Sequence, residues 1–310
     1  MPPKPTPNPT NLTPSQISKL HFLAALRRYP ALVPPALRPL DATRYDRIPA
    51  ALSRRDDHDP VLSLPQLEQL VQWKLQHGTY RPTLLALVRS NAASVVEAAS
   101  AEAFGLLSSS SSRRDEDGGE VRALRVLTKA LRGVGPATAS LVLACADPAG
   151  TPFFSDEVFR WVVWGEEEAK GKGKGWGRRI GYTEKEYGVL VGKVRGVVER
   201  VRGWGLGEGE LGGMGEAVAV EKVAWVLGKE GVDCDRIVGE GEDLFDEQVE
   251  RKGRKREAET EGEVGDAENM EGGKKTLNET TRKSKKAKVE KDVAVEYPRR
   301  QTRSSSRRNI

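Results

Sequence analysis

The segment Leu131-Arg132-Gly133-Val134-Gly135-Pro136-Ala137-Thr138-Ala139 constrains this chain more than any other. A helix-forming run from Val121 to Leu131 enters a Gly-Val-Gly turn, and a second helix-forming run leaves it. Glycine at 133 and 135 permits positive φ and close approach of another backbone. Pro136 suits the first turn of the outgoing helix, where a missing N–H breaks no helical bond. Free N–H groups at such a helix start, with the dipole behind them, suit an anion such as a DNA phosphate. The spacing predicts a helical hairpin at 131–139. A glycine turn alone also joins helices that bind nothing. Here Ala139, Leu141 and Leu143 extend the pattern and give the second helix apolar residues to pack.

The remaining periodicity is helical. A helix is expected from Thr13-Pro14-Ser15 to Arg28, with Ile17, Leu20, Leu23, Ala24 and Leu26 as its apolar face. Asp41 to Arg54 is amphipathic but interrupted by Pro49. Leu67, Leu70, Val71 and Leu75 mark a helix from Pro65 to His77, closed by Gly78. Pro82 starts another, through Val88. Two short helices, 92–99 and 101–107, are expected behind the capping residues Asn91 and Ser100. The serine-rich run from Ser108 to Asp117 reads as a loop, as does the Gly/Lys/Glu segment from Gly165 to Gly181. Thr183 caps a long helix from Glu184 to Arg202, and the last apolar helix runs from Ala217 to Leu227. No strand pattern appears, so the fold class is all-α.

Three regions follow: a Pro-rich disordered arm (1–12), a helical domain (13–235) and a charged disordered tail (236–310). The tail lacks the apolar residues needed to offset its ordering entropy. Net charge is +5, unevenly spread. Residues 240–250 hold six acids and no base, whereas 281–310 hold eleven Lys and Arg against three acids. The clusters at 251–256 and 283–288 have the composition of nuclear-import signals or non-specific nucleic-acid contacts, which points to the nucleus. Two cysteines, Cys145 and Cys234, imply no disulfide framework, and three scattered histidines supply no zinc pattern. No apolar run reaches a membrane-spanning length, and the Pro-rich start does not read as a secretory signal. The expected partner is double-stranded DNA, with no membrane, no metal and no cofactor, and the chain is expected to act as a monomer.

From about Leu67 to Val163, with the hairpin and an aspartate shortly beyond it, the chain resembles the helix-hairpin-helix DNA glycosylases, the relatives of endonuclease III. The resemblance implies that Gly133, Val134, Gly135, Ala137 and Thr138 hold the DNA backbone. It also implies that Asp156 faces the flipped nucleotide from a helix start, although Asp156 lies 21 residues beyond Gly135, one further than that pattern. Cleaving an N-glycosidic bond builds positive charge on the deoxyribose, which a carboxylate stabilises. The target base must first leave the stack for a pocket. Asp156 equally suits a first-turn acid that only complements the helix dipole. His77 lies where relatives place a residue that fills the gap left by the base, and it also suits a helix end. Phe153, Phe154, Trp161 and Trp164 fit a stacking wall or, at helical spacing, a packed core. Bifunctional relatives carry a lysine two residues after the second hairpin glycine, where this chain has Ala137. Strand cleavage by that route is therefore not expected, and two cysteines cannot build the family's four-cysteine iron–sulfur cluster. Two functions stand: a monofunctional glycosylase, or a non-catalytic nuclear DNA-binding protein on the same scaffold.

Overall fold

The computed structural model describes residues 10–53, 60–78, 81–110, 118–166, 173–206 and 209–239. The predicted tail from 240 onward and the arm up to residue 9 lie outside them. The elements in order are α1 (Lys19–Leu32), α2 (Arg38–Ala42), a π turn (Thr43–Arg47), α3 (Ile48–Ser53), α4 (Leu64–His77), α5 (Leu84–Arg89), α6 (Ala93–Ser110), α7 (Gly119–Ala130), α8 (Pro136–Ala146), α9 (Asp156–Val162), a 3-10 turn (Gly175–Gly177), α10 (Glu184–Gly203) and α11 (Glu216–Glu230). Among the described residues there is no strand, only a bridge between Thr10 and Val238.

Helix starts follow their capping chemistry. Ser63 caps α4 in a reciprocal box with Gln66, and Thr183 caps α10 in the same way with Glu186. Two helices are apolar nearly all round and therefore lie inside. One is α8, buried from Thr138 to Cys145; the other is α11, buried from Ala217 to Val220 and again from Val223 to Leu227. Around α8 lie α7, α3 and α4, and around α11 lie α1, α9 and α10. Each fully buried Leu or Val contributes roughly 1.5–3 kcal/mol.

Several boundaries differ from the sequence reading. Ser18, not Thr13, caps α1, which places Leu20 in solvent at 49% exposure while Phe22 enters the core. Pro49 does not interrupt its helix. The π turn before it sends the Ile48 N–H to Thr43 O, and this wider turn accommodates the ring and its missing donor. The expected short pair of helices is one helix, α6. Ser100 sits inside it, its Oγ donating to Glu97 O and accepting from the Leu62 N–H. The folded body also begins earlier than 13: Leu12 is fully buried and its N–H donates to Cys234 O. It continues beyond 235, since Val238 is buried and bonded to Thr10.

A buried polar cluster that the sequence did not announce joins the domain's two ends. Arg44, fully buried, pairs with Glu221 at 3.2 Å, and the Tyr45 hydroxyl donates to the same carboxylate at 2.8 Å. Asp41 accepts from the Tyr29 hydroxyl and from Trp73 Nε1.

Candidate functional site

The hairpin forms where the glycines predict it. Gly133 adopts φ +75°, and a Cβ there would stand 3.0 Å from Leu87 Cβ and 3.2 Å from the Val88 backbone nitrogen. Both the left-handed backbone and the packing on α5 thus demand glycine. Asn91 fixes the turn from outside: its Nδ2 donates to Arg132 O at 3.0 Å, and its Oδ1 accepts from the Arg132 N–H at 2.8 Å. The residue expected to cap a helix instead clamps the hairpin onto α5.

Gly135 differs from Gly133. Its backbone is extended (φ −94°), and a Cβ added there meets nothing within 4 Å. The fold leaves open space at this position. Gly135 starts α8 without a side-chain cap, and Pro136 follows. The N–H groups of Gly135 and Ala137 make no hydrogen bond among the described residues, while those of Thr138 and Ala139 turn back to Gly135 O. These two donors, without a protein partner, and the positive end of α8 lie at the edge of that space. Val134 lies inward and is buried.

The space opens onto a cleft of about 460 Å³. The hairpin from Gly133 to Thr138 forms one side, and the segment Phe153 to Glu157 another. Lys74 and His77 enter from the end of α4, Tyr182 from the approach to α10, and Lys229 from α11. Phe153 and Phe154 border the cleft but are buried in the core, and Trp161, fully buried with Nε1 donating to Leu12 O, does not line it. Trp164 stands edge-on to Trp176 at 5.1 Å.

Asp156 is the first residue of α9, behind the cap Ser155. One carboxylate oxygen accepts from the Tyr182 hydroxyl, and the other pairs with Arg160 Nη2 at 2.9 Å. Arg160 is in turn held by Arg178 O. Tyr182 has φ +53°, the one positive value at a non-glycine among the described residues. A tyrosine held in this region costs of order 1–3 kcal/mol, and such strain concentrates at functional sites. Here it brings the hydroxyl to Asp156 and the ring to within 5.1 Å of Phe154.

Lys74 Nζ donates to Thr138 Oγ1 at 2.9 Å. Burial, with help from the Arg81 charge and against the pull of Asp156, brings its ammonium down from 10.5 to about 8. His77 stacks on Trp73 (4.3 Å between centroids, 23° between planes) and tilts against Trp225. Its Nε2 has no partner among the described residues, and burial, then Lys229 and Arg44, push its imidazole down to about 3. The ring thus lies along the cleft wall, stacked on Trp73. Burial raises the Glu157 carboxyl above its usual range.

Lys74, Tyr182 and Arg160 escaped the sequence reading. Lys74 had a legible signal: with Leu67 and Val71 it continues the buried stripe of α4, where a lysine is out of place. Tyr182 had none, because its role depends on a strained turn. No helix among the described residues is long and apolar enough to cross a membrane, and no cluster of His, Cys, Asp and Glu there could hold a metal ion. Cys145 lies in the core with its thiol near Arg44 O; burial raises it to about 11. No family model, curated protein or solved structure matches the chain.

Proposed function

We propose that this protein binds double-stranded DNA at the 133–138 hairpin and hydrolyses the N-glycosidic bond of a base extruded into the neighbouring cleft. One observation carries the reading: the unsatisfied N–H groups at the start of α8 and the Asp156 carboxylate border the same aromatic-walled cleft. Its volume falls within the roughly 300–1,000 Å³ usual for small-molecule sites. A phosphate accepted by the Gly135 and Ala137 N–H groups would fix the strand. The partly exposed Tyr182 ring at the cleft would offer the base a stacking face. Asp156 would then stand beside the sugar, where a carboxylate stabilises oxocarbenium-like charge and orients water. Tyr182 and Arg160 hold that carboxylate in a fixed direction, the preorganisation such stabilisation needs.

The test is single-turnover base release from duplexes carrying alkylated, oxidised, deaminated or mismatched bases, with alkali revealing abasic sites. Release of at least one class is expected, together with duplex binding that weakens steeply with salt.

A second reading has its own observation. Both oxygens of Asp156 are already engaged, as they would be in a purely structural helix-start acid. A non-catalytic nuclear DNA-binding protein on this scaffold would bind the same duplexes and release nothing.

A further inference from the structure

We propose that the cleft is a binding site for a free guanine nucleoside 5′-monophosphate, with Glu157 and Lys229 reading the guanine edge and Lys74 and Arg81 holding the phosphate. Such a site goes beyond the glycosidic reading, since it needs neither a duplex nor a bond-breaking step.

A carboxylate and an ammonium share this cleft without pairing. Glu157 and Lys229 both line it. The partly exposed Glu157 side chain makes no hydrogen bond or ion pair to another side chain among the described residues. Lys229 makes a ring contact and no ion pair there, its Nζ lying 5.5 Å from the Trp225 ring centroid. The fold fixes where the two stand. A Cβ at Gly228 would lie 2.8 Å from Glu157 Cγ, so this side chain of α9 packs on α11 immediately before Lys229. His77 reaches the same Trp225 ring, at 5.4 Å between centroids, and lines the cleft with them. Burial raises the Glu157 carboxyl, and the nearby Lys229 charge pulls the other way. A carboxylate drawn out of bulk water with no donor from a neighbouring side chain is costly, and a ligand bearing N–H groups offsets that cost.

Guanine matches the pair. Its N1–H and 2-amino N–H lie side by side and donate to the two oxygens of one carboxylate, while the adjoining O6 accepts from an ammonium. Adenine would turn the lone pair of N1 toward the carboxylate. Uracil has one N–H between two carbonyls, and one of these would face a carboxylate oxygen. The Tyr182 ring borders the same cleft and gives the purine a face to lie on. At the α8 side the cleft is cationic. Lys74 rests on Thr138, and Arg81 has no ion pair among the described residues. Together with the Gly135 and Ala137 N–H groups they offer a phosphate both charge and donors.

Titration calorimetry on the full chain without DNA tests the site, using the 5′-monophosphates of guanosine, inosine, adenosine and uridine, and inorganic phosphate. Guanosine monophosphate should bind roughly tenfold or more tighter than the adenosine and uridine compounds, with inosine monophosphate, which lacks the 2-amino group, between them. Glu157→Gln should bring the guanosine compound down to the adenosine level. Lys229→Met, at an exposed position, should weaken the guanosine and inosine compounds and spare the adenosine one. Arg81→Gln, also exposed, should weaken all four alike. Equal affinity for the four nucleotides, binding no tighter than phosphate alone, or a guanosine preference that survives both Glu157→Gln and Lys229→Met overturns the assignment. Glu157-dependent affinity for a duplex with an unpaired guanine, without binding of the free monophosphate, overturns the free-nucleotide site and leaves the glycosidic reading standing. Binding of the free nucleotide without base release from any lesion sustains the site and overturns the glycosidic reading.

Discussion

Lys74 Nζ and Thr138 Oγ1 meet at 2.9 Å, tying the last turn of α4 to the first turn of α8. The hairpin gains a chemical group through this bond that its own sequence lacks, because α8 supplies the hydroxyl and α4 supplies the amine. The relationship also joins the two halves of the candidate site, since the same turn of α8 presents the unsatisfied Gly135 and Ala137 donors.

Removing the hydroxyl should shift the amine. A Thr138→Val variant deletes an acceptor that favours the ammonium form, so the Lys74 pKa should fall below its value of about 8. The pH midpoint for modification of Lys74 by an amine-reactive reagent, read by peptide mapping, should move down accordingly. Stability should fall by roughly 1.5–3 kcal/mol, the range for a hydrogen bond to a charged group. An unchanged midpoint would place the Lys74 amine elsewhere in the functioning protein.

The two hairpin glycines should behave differently. Gly133→Ala forces a Cβ into left-handed backbone and against Leu87 and Val88, and should cost more than about 1–2 kcal/mol. Gly135→Ala meets no atom of the protein, so its stability should change by no more than about 0.5 kcal/mol. Its methyl group would crowd an approaching phosphate, and duplex affinity should drop. Urea unfolding and a binding titration separate the two effects.

Acid should destabilise the protein through His77. The folded imidazole titrates near 3 and the ordinary one near 6.5, so between these values the unfolded chain binds a proton that the folded chain does not. Stability from this group is fully present above 6.5 and declines as pH falls toward 3, with each unit worth up to about 1.4 kcal/mol. His77→Phe keeps a ring against Trp73 and should flatten the loss between pH 6.5 and 4, read as urea midpoints.

The Arg44–Glu221 pair should be costly to break and cheap to replace. Glu221→Leu leaves a fully buried guanidinium without its carboxylate and should cost about 3–5 kcal/mol. Adding Arg44→Met should recover most of that loss, because the pair's own desolvation is removed with it. A double variant as unstable as the single one would mean that the Tyr45 contact to Glu221, not the ion pair, carries the cluster.

Local chemistry was legible in the sequence wherever a residue's role is set by its neighbours in the chain. Gly133 and Pro136 mark the turn, and Thr183 marks the start of α10. Leu67, Leu70, Val71 and Leu75 mark the buried face of α4. Reading failed where distant partners decide. Ser100 is a good capping residue in isolation, yet the Leu62 N–H claims its oxygen inside α6. Asn91 holds the hairpin because Arg132 lies against it. Asp156 was visible as a helix-start acid. Its Tyr182 partner is itself held in left-handed backbone, and its Arg160 partner is one helical turn along, a spacing that sequence alone could have offered.

In the proposed function, Asp156 acts on an extruded nucleotide in the cleft beside the hairpin. The most direct measurement is single-turnover base release by wild type and Asp156→Asn on the lesion-bearing duplex that wild type processes best, with duplex affinity measured in parallel. Asp156→Asn should lose about 10²-fold or more in release, the scale of removing one transition-state stabiliser, with affinity largely retained. Equal release by the two proteins, or none by wild type on any lesion despite tight binding, would contradict it.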